Sequence, residues 1–242
     1  MTETLSLRAK IEQSTMGAYQ WMIVVMAAIM NLLDGFDVLA LAFTATAIRG
    51  EFGLTGIELG YLLSAGLFGM TAGSLFLAPL ADKIGRRPLL LMAVSLSAIG
   101  MLGSAFISQY QWLGFWRVIT GLGVGGILVG TNVITSEYSS RKWRSFAISV
   151  YAAGFGIGAV LGGMFAVMLQ GEYGWRSVFL AGAILTGLLL VVLFIWLPES
   201  IDFLTSKQPK NAEVRLNLIA KKIGLAGDWK LPAKVEKVKS KL

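Results

Sequence analysis

The chain has 242 residues, 55% hydrophobic and 14% charged, with a net charge of +7 and a mean hydropathy of +0.70. A soluble domain carries about 25% charged residues, so this is the composition of a membrane protein. With no Cys and no His, the chain lacks disulfides, thiolate nucleophiles, the commonest metal ligand and the usual general base, and its positive charge is read by position along the membrane rather than as a nucleic-acid footprint.

Six apolar stretches follow one another, near Tyr19–Ile48, Ile57–Leu80, Leu89–Ile107, Trp112–Ser136, Phe146–Leu169 and Val178–Leu197. Each is long enough to cross a hydrocarbon core of about 30 Å, which takes about 20 helical residues. Their hydrophobicity is continuous instead of alternating, so they are expected to be helices and not barrel strands. The first is not a secretory signal, although Arg8 and Lys10 precede it and Ala45-Thr46-Ala47 resembles a cleavage site: it is too long, it contains two carboxylates, and five more spans follow. This divides the chain into an N-terminal segment (1–18), a six-helix transmembrane bundle (19–197) and a polar, lysine-rich segment (198–242) in which Ala212 to Gly224 reads as a short amphipathic helix. Eighteen of the 21 basic residues fall on one side of the spans, Arg49 and Arg176 on the other, and Arg117 inside the fourth. By the positive-inside rule both termini and both flanking segments are expected in the cytoplasm.

The first span carries the sharpest anomaly. In NLLDGFDVLALAF, Asp34 and Asp37 stand three residues apart, on one helix face, with Asn31 and Thr44 adjoining it. A charge at the bilayer centre costs about 2.5–3.5 kcal/mol on insertion scales, and two neighbouring carboxylates do not both ionise cheaply. The pair is the candidate proton-coupling site. The competing reading is a helix-to-helix hydrogen-bond clamp.

The fourth span holds Arg117 about two turns from its outer end. A guanidinium stays charged and needs a carboxylate or a bound anion beside it. Arg117 is therefore expected either to neutralise Asp34 or Asp37 or to receive a substrate carboxylate, with Asn31 as a second substrate-binding candidate; snorkelling to the outer interface is the bland alternative. Spans one and four carry the buried charge, two and five are glycine-rich, and three and six are plain, which is the layout of a 3+3 inverted repeat in a secondary transporter. The short turn LADKIGRRP between spans two and three combines Asp82, Gly85, Arg86 and Arg87. Its bases hold the turn inside, and Asp82 is placed to cap a neighbouring helix as a latch.

These residues together resemble the major facilitator superfamily. APLADKIGRRPLLL is similar to its loop signature between spans two and three, RVITGLGVGG to its span-four motif, SEYSSRKWRS to the loop that follows, with Glu137 and Arg144 at the acid and base positions, and LPES to the end of span six. LLDGFD resembles the DGxD signature of the aromatic acid:proton symporters, bacterial inner-membrane importers of benzoate and hydroxybenzoates. The resemblance implies the N-terminal half of a major facilitator fold, no enzymatic activity, no cofactor beyond the coupled proton, and a small aromatic carboxylate as substrate. It also implies proton-coupling roles for Asp34 and Asp37, a transport role for Arg117, and a gating loop of Asp82, Gly85, Arg86, Arg87, Glu137 and Arg144. The partners the resemblance implies are the bilayer and a missing C-terminal half or a second copy, with no nucleic acid. A drug:proton antiporter of the same superfamily is the main alternative, although GFGIGAVLGG has Ala159 where antiporters have a proline. A half-transporter inactive alone is another, and an intramembrane protease lacks its catalytic residues here.

Overall fold

The computed structural model describes residues 7–225, 227 and 229–231. Residues 1–6 of the N-terminal segment, and residues 232–242 with the last four lysines counted above, lie outside the described residues.

Among the described residues six helices are long and apolar enough to cross a membrane: α2 (Ala18–Phe52), α3 (Gly56–Ile84), α4 (Arg86–Ala105), α5 (Tyr110–Tyr138), α6 (Arg144–Tyr173) and α7 (Arg176–Trp196). They coincide with the expected spans, and several run a turn further because their end turns are capped. Thr55 accepts from the Glu58 amide while the Glu58 carboxylate accepts from the Thr55 amide, a reciprocal cap that starts α3. Gly85, at φ 107°, turns α3 into α4 in a conformation that a side chain would strain. Three shorter helices among the described residues lie outside the spans: α1 (Leu7–Gln13), α8 (Ile201–Lys207) and α9 (Ala212–Ile223). The sequence pattern anticipates α9. One or two turns of a mixed segment have too little periodicity to announce α1 and α8.

The packing repeats after three spans. Helix α3 lies against α5, and α2 against α6, as the two closest pairs. In both, small residues let backbones meet: a Cβ on Gly121 would run into the carbonyl of Gly66, and one on Gly158 into that of Leu32. Enclosure repeats as well, with α2 and α5 the most buried spans, α3 and α6 the least, and α4 and α7 between. These are the correspondences expected of a 3+3 arrangement.

Buried apolar side chains form two cores. One, at the end that carries most of the basic residues, joins α1, α8 and α9 to the spans through Ile11, Ile23, Tyr138, Leu193, Ile201 and Leu216. The other, at the opposite end, centres on Phe36, Met101, Leu113 and Phe179. Five spans pass from one core to the other, and all but the glycine-lined α6 do so at a buried polar residue: Asp34 and Asp37 in α2, Ser97 in α4, Arg117 and Thr120 in α5, and Thr186 in α7. The seam between the cores is where chemistry is placed.

Candidate functional site

Helix α2 brings Asp34 and Asp37 into this seam at 2% and 1% exposure, and α5 brings Arg117 there at 3%. An interior charge of this kind is expensive unless a partner compensates it. Asp37 accepts a hydrogen bond from Ser97 Oγ through Oδ2, while its Oδ1 has no hydrogen-bond partner among the described residues. Asp34 Oδ2 is likewise unpartnered. Neither carboxylate has a salt bridge among the described residues.

Arg117 is held by neutral groups. Its guanidinium donates to Ser104 Oγ at 2.9 Å, Thr120 Oγ1 at 3.1 Å, Met101 Sδ at 3.1 Å and the main-chain carbonyl of Asp37 at 3.4 Å. It lies 4.8 Å from the centre of the Phe179 ring, a cation-π distance, and its Nε is buried without a partner. Among the described residues no carboxylate oxygen is within 4.0 Å of it. Of the two roles read from sequence, the structure contains no direct ion pair to either aspartate. It also contains no snorkelling: the guanidinium points inward, onto α4 and the Asp37 backbone.

Beside this group is a cavity of about 160 Å³ between α2, α3 and α5. Arg117, Asp37 and Thr120 supply its polar corner, and Leu41, Leu62, Leu67, Met70 and Val124 are among its apolar walls. A corner that holds a guanidinium in an otherwise apolar cleft suits a small hydrophobic anion when the neighbouring Asp37 carboxyl is neutral. Asn31 is elsewhere: its amide nitrogen donates to the Tyr151 carbonyl at 2.9 Å and ties α2 to α6, leaving its carboxamide oxygen unpartnered.

The residues grouped as a gating loop fall into several contacts at the basic end. Arg86 pairs with Asp82 at 2.6 Å, and the Asp82 side chain is largely exposed. The amides of Arg86 and Arg87, the first turn of α4, donate to Glu199 Oε1 at 2.8 and 3.0 Å, and a Cβ on Gly85 would collide with that carboxylate. Glu137 does the same for α8, accepting from Ser200 Oγ and the Ile201 amide. Arg144 pairs not with Glu137 but with Glu12 of α1, at 2.6 Å, and Arg8 reaches Asp202 of α8. Two helix N-termini thus each receive a carboxylate, where the helix dipole favours one.

Sequence reasoning missed Ser97, Ser104 and Glu12. Ser97, Gly100 and Ser104 recur on one face of α4, a polar stripe that could have marked the third span as more than plain. Nothing local marks Glu12, whose partner is 132 residues away.

Comparison with known proteins bears on this geometry. The family model described as Major Facilitator Superfamily matches residues 26–233. The chain is 35% identical over 204 residues to a protein named gallate transporter from Pseudomonas putida, covering 84% of this chain and 45% of that one. It is 34% identical over 216 residues to the 4-hydroxybenzoate transporter PcaK of the same species, covering 89% and 48%. Among solved structures, the xylose transporter XylE from E. coli in a partially occluded inward open conformation matches with a TM-score of 0.74 and 22% identity, over 84% of this chain and 55% of that one. That likeness concerns the fold. The chain spans about half the length of the curated relatives it matches.

Proposed function

The chain belongs to the major facilitator superfamily, and from that premise we propose that it supplies the N-terminal six-helix half of a proton-coupled importer of aromatic carboxylic acids of the benzoate and hydroxybenzoate class, in a bacterial inner membrane. The observation that carries the reading is Arg117: a buried guanidinium at the corner of an apolar cavity, satisfied only by neutral groups. Such a cation calls for an anion, and an aromatic carboxylate offers a planar pair of oxygens for the guanidinium and a ring for the apolar walls. The names of the two relatives support the same substrate class.

Moving the carboxylate alone into an inside-negative cell costs about 2.3 kcal/mol per 100 mV, and one accompanying proton cancels that cost. Asp37 is the nearer candidate for that proton, since its main chain touches Arg117 and one carboxylate oxygen is free of protein donors. Asp34, one turn away, is the second. In the proposed cycle a proton arrives from outside, Arg117 takes the substrate carboxylate, and rocking of this half against a second six-helix unit opens the site inward. That unit is a continuation of the chain or a second copy. Clustering of α1, α8 and α9 with the basic residues at one end supports a cytoplasmic position for both flanking segments.

Uptake of labelled benzoate and 4-hydroxybenzoate, with and without a protonophore, tests the proposal. Accumulation that collapses with the proton gradient is expected. Efflux of cationic drugs without uptake of either acid would contradict it and favour the antiporter.

A further inference from the structure

A second cavity, of about 230 Å³, lies at the basic end, outside the site described above. Helix α9 forms one wall. It docks on the bundle through Leu216, Ile219 and Ala220 and leaves Val214 and Leu218 exposed. Arg215, Leu218 and Lys222 share the face turned to the cavity, being three and seven residues apart. Across it stands the last turn of α7 with Trp196, and Arg87 of α4 closes one side.

The charge in this cavity is lopsided. Arg87 spends one nitrogen on the Phe194 carbonyl and has a buried, unpartnered Nε. Lys222 lies 5.3 Å from the centre of the Tyr19 ring. The wall also carries one carboxylate, Glu199, one of whose oxygens already accepts from the amides of Arg86, Arg87 and Ser200. Among the described residues three cations therefore face a single acid, which caps α4 through one of its oxygens.

Position selects the ligand. The cavity opens where the lipid-exposed surface of α7 ends, beside Phe194 and Ile195, both about two-thirds exposed. A soluble anion would meet the cations alone, whereas an anionic phospholipid seated at this edge offers its phosphate to the cations and its acyl chains to the adjoining apolar rim. We propose that the cavity between α7 and α9 binds the headgroup of an anionic phospholipid through Arg87, Arg215 and Lys222, anchoring α9 to the bilayer surface. The inference rests on the membrane orientation and not on the substrate assigned above.

Native mass spectrometry of the purified chain, supplied with phosphatidylglycerol or phosphatidylcholine, tests this. Each basic residue near a charged surface contributes about fivefold in affinity, so the pair on α9 accounts for more than about tenfold. Wild type should retain phosphatidylglycerol in preference to phosphatidylcholine, R215Q/K222Q should lose the preference by about that factor, and R215K/K222R should keep it. Should the double variant fail to fold, K222Q alone is expected to show about a fivefold loss. Equal retention of the two lipids, retention unaffected by the glutamine variants, or displacement of phosphatidylglycerol by millimolar inorganic phosphate would overturn the proposal.

Discussion

The two charged regions of this molecule are built on opposite principles. At the basic end the buried or half-buried acids have donors: Glu137 takes Ser200 and the start of α8, Glu199 takes the start of α4, and Glu12 takes Arg144. At the seam between the two cores the charges are as deeply buried as Glu137 and less satisfied. Asp34, Asp37 and Arg117 each keep an atom without a partner, and no ion pair joins them. A network that supplies every acid with a donor holds a structure together, even where, as at the basic end, Arg86, Arg87 and Arg144 each keep a buried Nε without a partner among the described residues. One that does not is suited to a ligand and a proton that come and go.

That contrast can be broken most severely at Arg117. Arg117→Gln is expected to lower uptake at least about tenfold, since a contact to a charged group contributes about 1.5–3 kcal/mol. Lysine should not rescue it, because a point charge does not reproduce the guanidinium fork. Initial-rate uptake measures this, and undiminished transport would place the substrate elsewhere. Next, Asp37→Asn should abolish accumulation against a gradient while leaving substrate exchange measurable, and Asp34→Asn should do so less completely. If Asp34 proves the more sensitive, the roles of the two acids are reversed.

Substitutions at the satisfied end and in the helix interfaces should act on stability instead. Gly158→Leu would drive a side chain into the Leu32 backbone and should destabilise the α2 and α6 pairing by at least about 1–3 kcal/mol, read as a lower melting temperature. Glu199→Gln removes the charge that caps α4 and should cost about 1 kcal/mol, with uptake nearly retained.

The smallest effect is expected at Glu12. The hydrogen bond from Arg144 holds its carboxyl below the ordinary glutamate value, with nearby Arg8 and Arg141 adding to it. A depressed value means that the contribution is present above the ordinary glutamate range and fades as pH falls through the folded value. Because the pair is partly exposed, the effect is small. Glu12→Gln should therefore melt slightly lower than wild type at neutral pH and alike in acid. A difference that grew on acidification would contradict the assignment.

The spans were legible because a bilayer demands long apolar helices, and the central charges because lipid makes them costly. Asp34, Asp37 and Arg117 announce themselves against Leu and Val. The partners that distinguish the two regions were not legible, since they are set by tertiary approach. Ser97 meets Asp37 across 60 residues, and the Glu137 and Arg144 that sit near each other in sequence turn to different helices. Short helices such as α8 depend on a cap from a distant acid and leave no periodic signature of their own.

The central claim is that a proton enters with the carboxylate at the Asp37 and Arg117 seam. It is tested most directly by recording external pH when 4-hydroxybenzoate is added to de-energised vesicles carrying this chain together with a second six-helix unit. Alkalinisation in step with substrate entry is expected, absent in Asp37→Asn. Substrate entry with no pH change, or an unchanged signal in that variant, would contradict it.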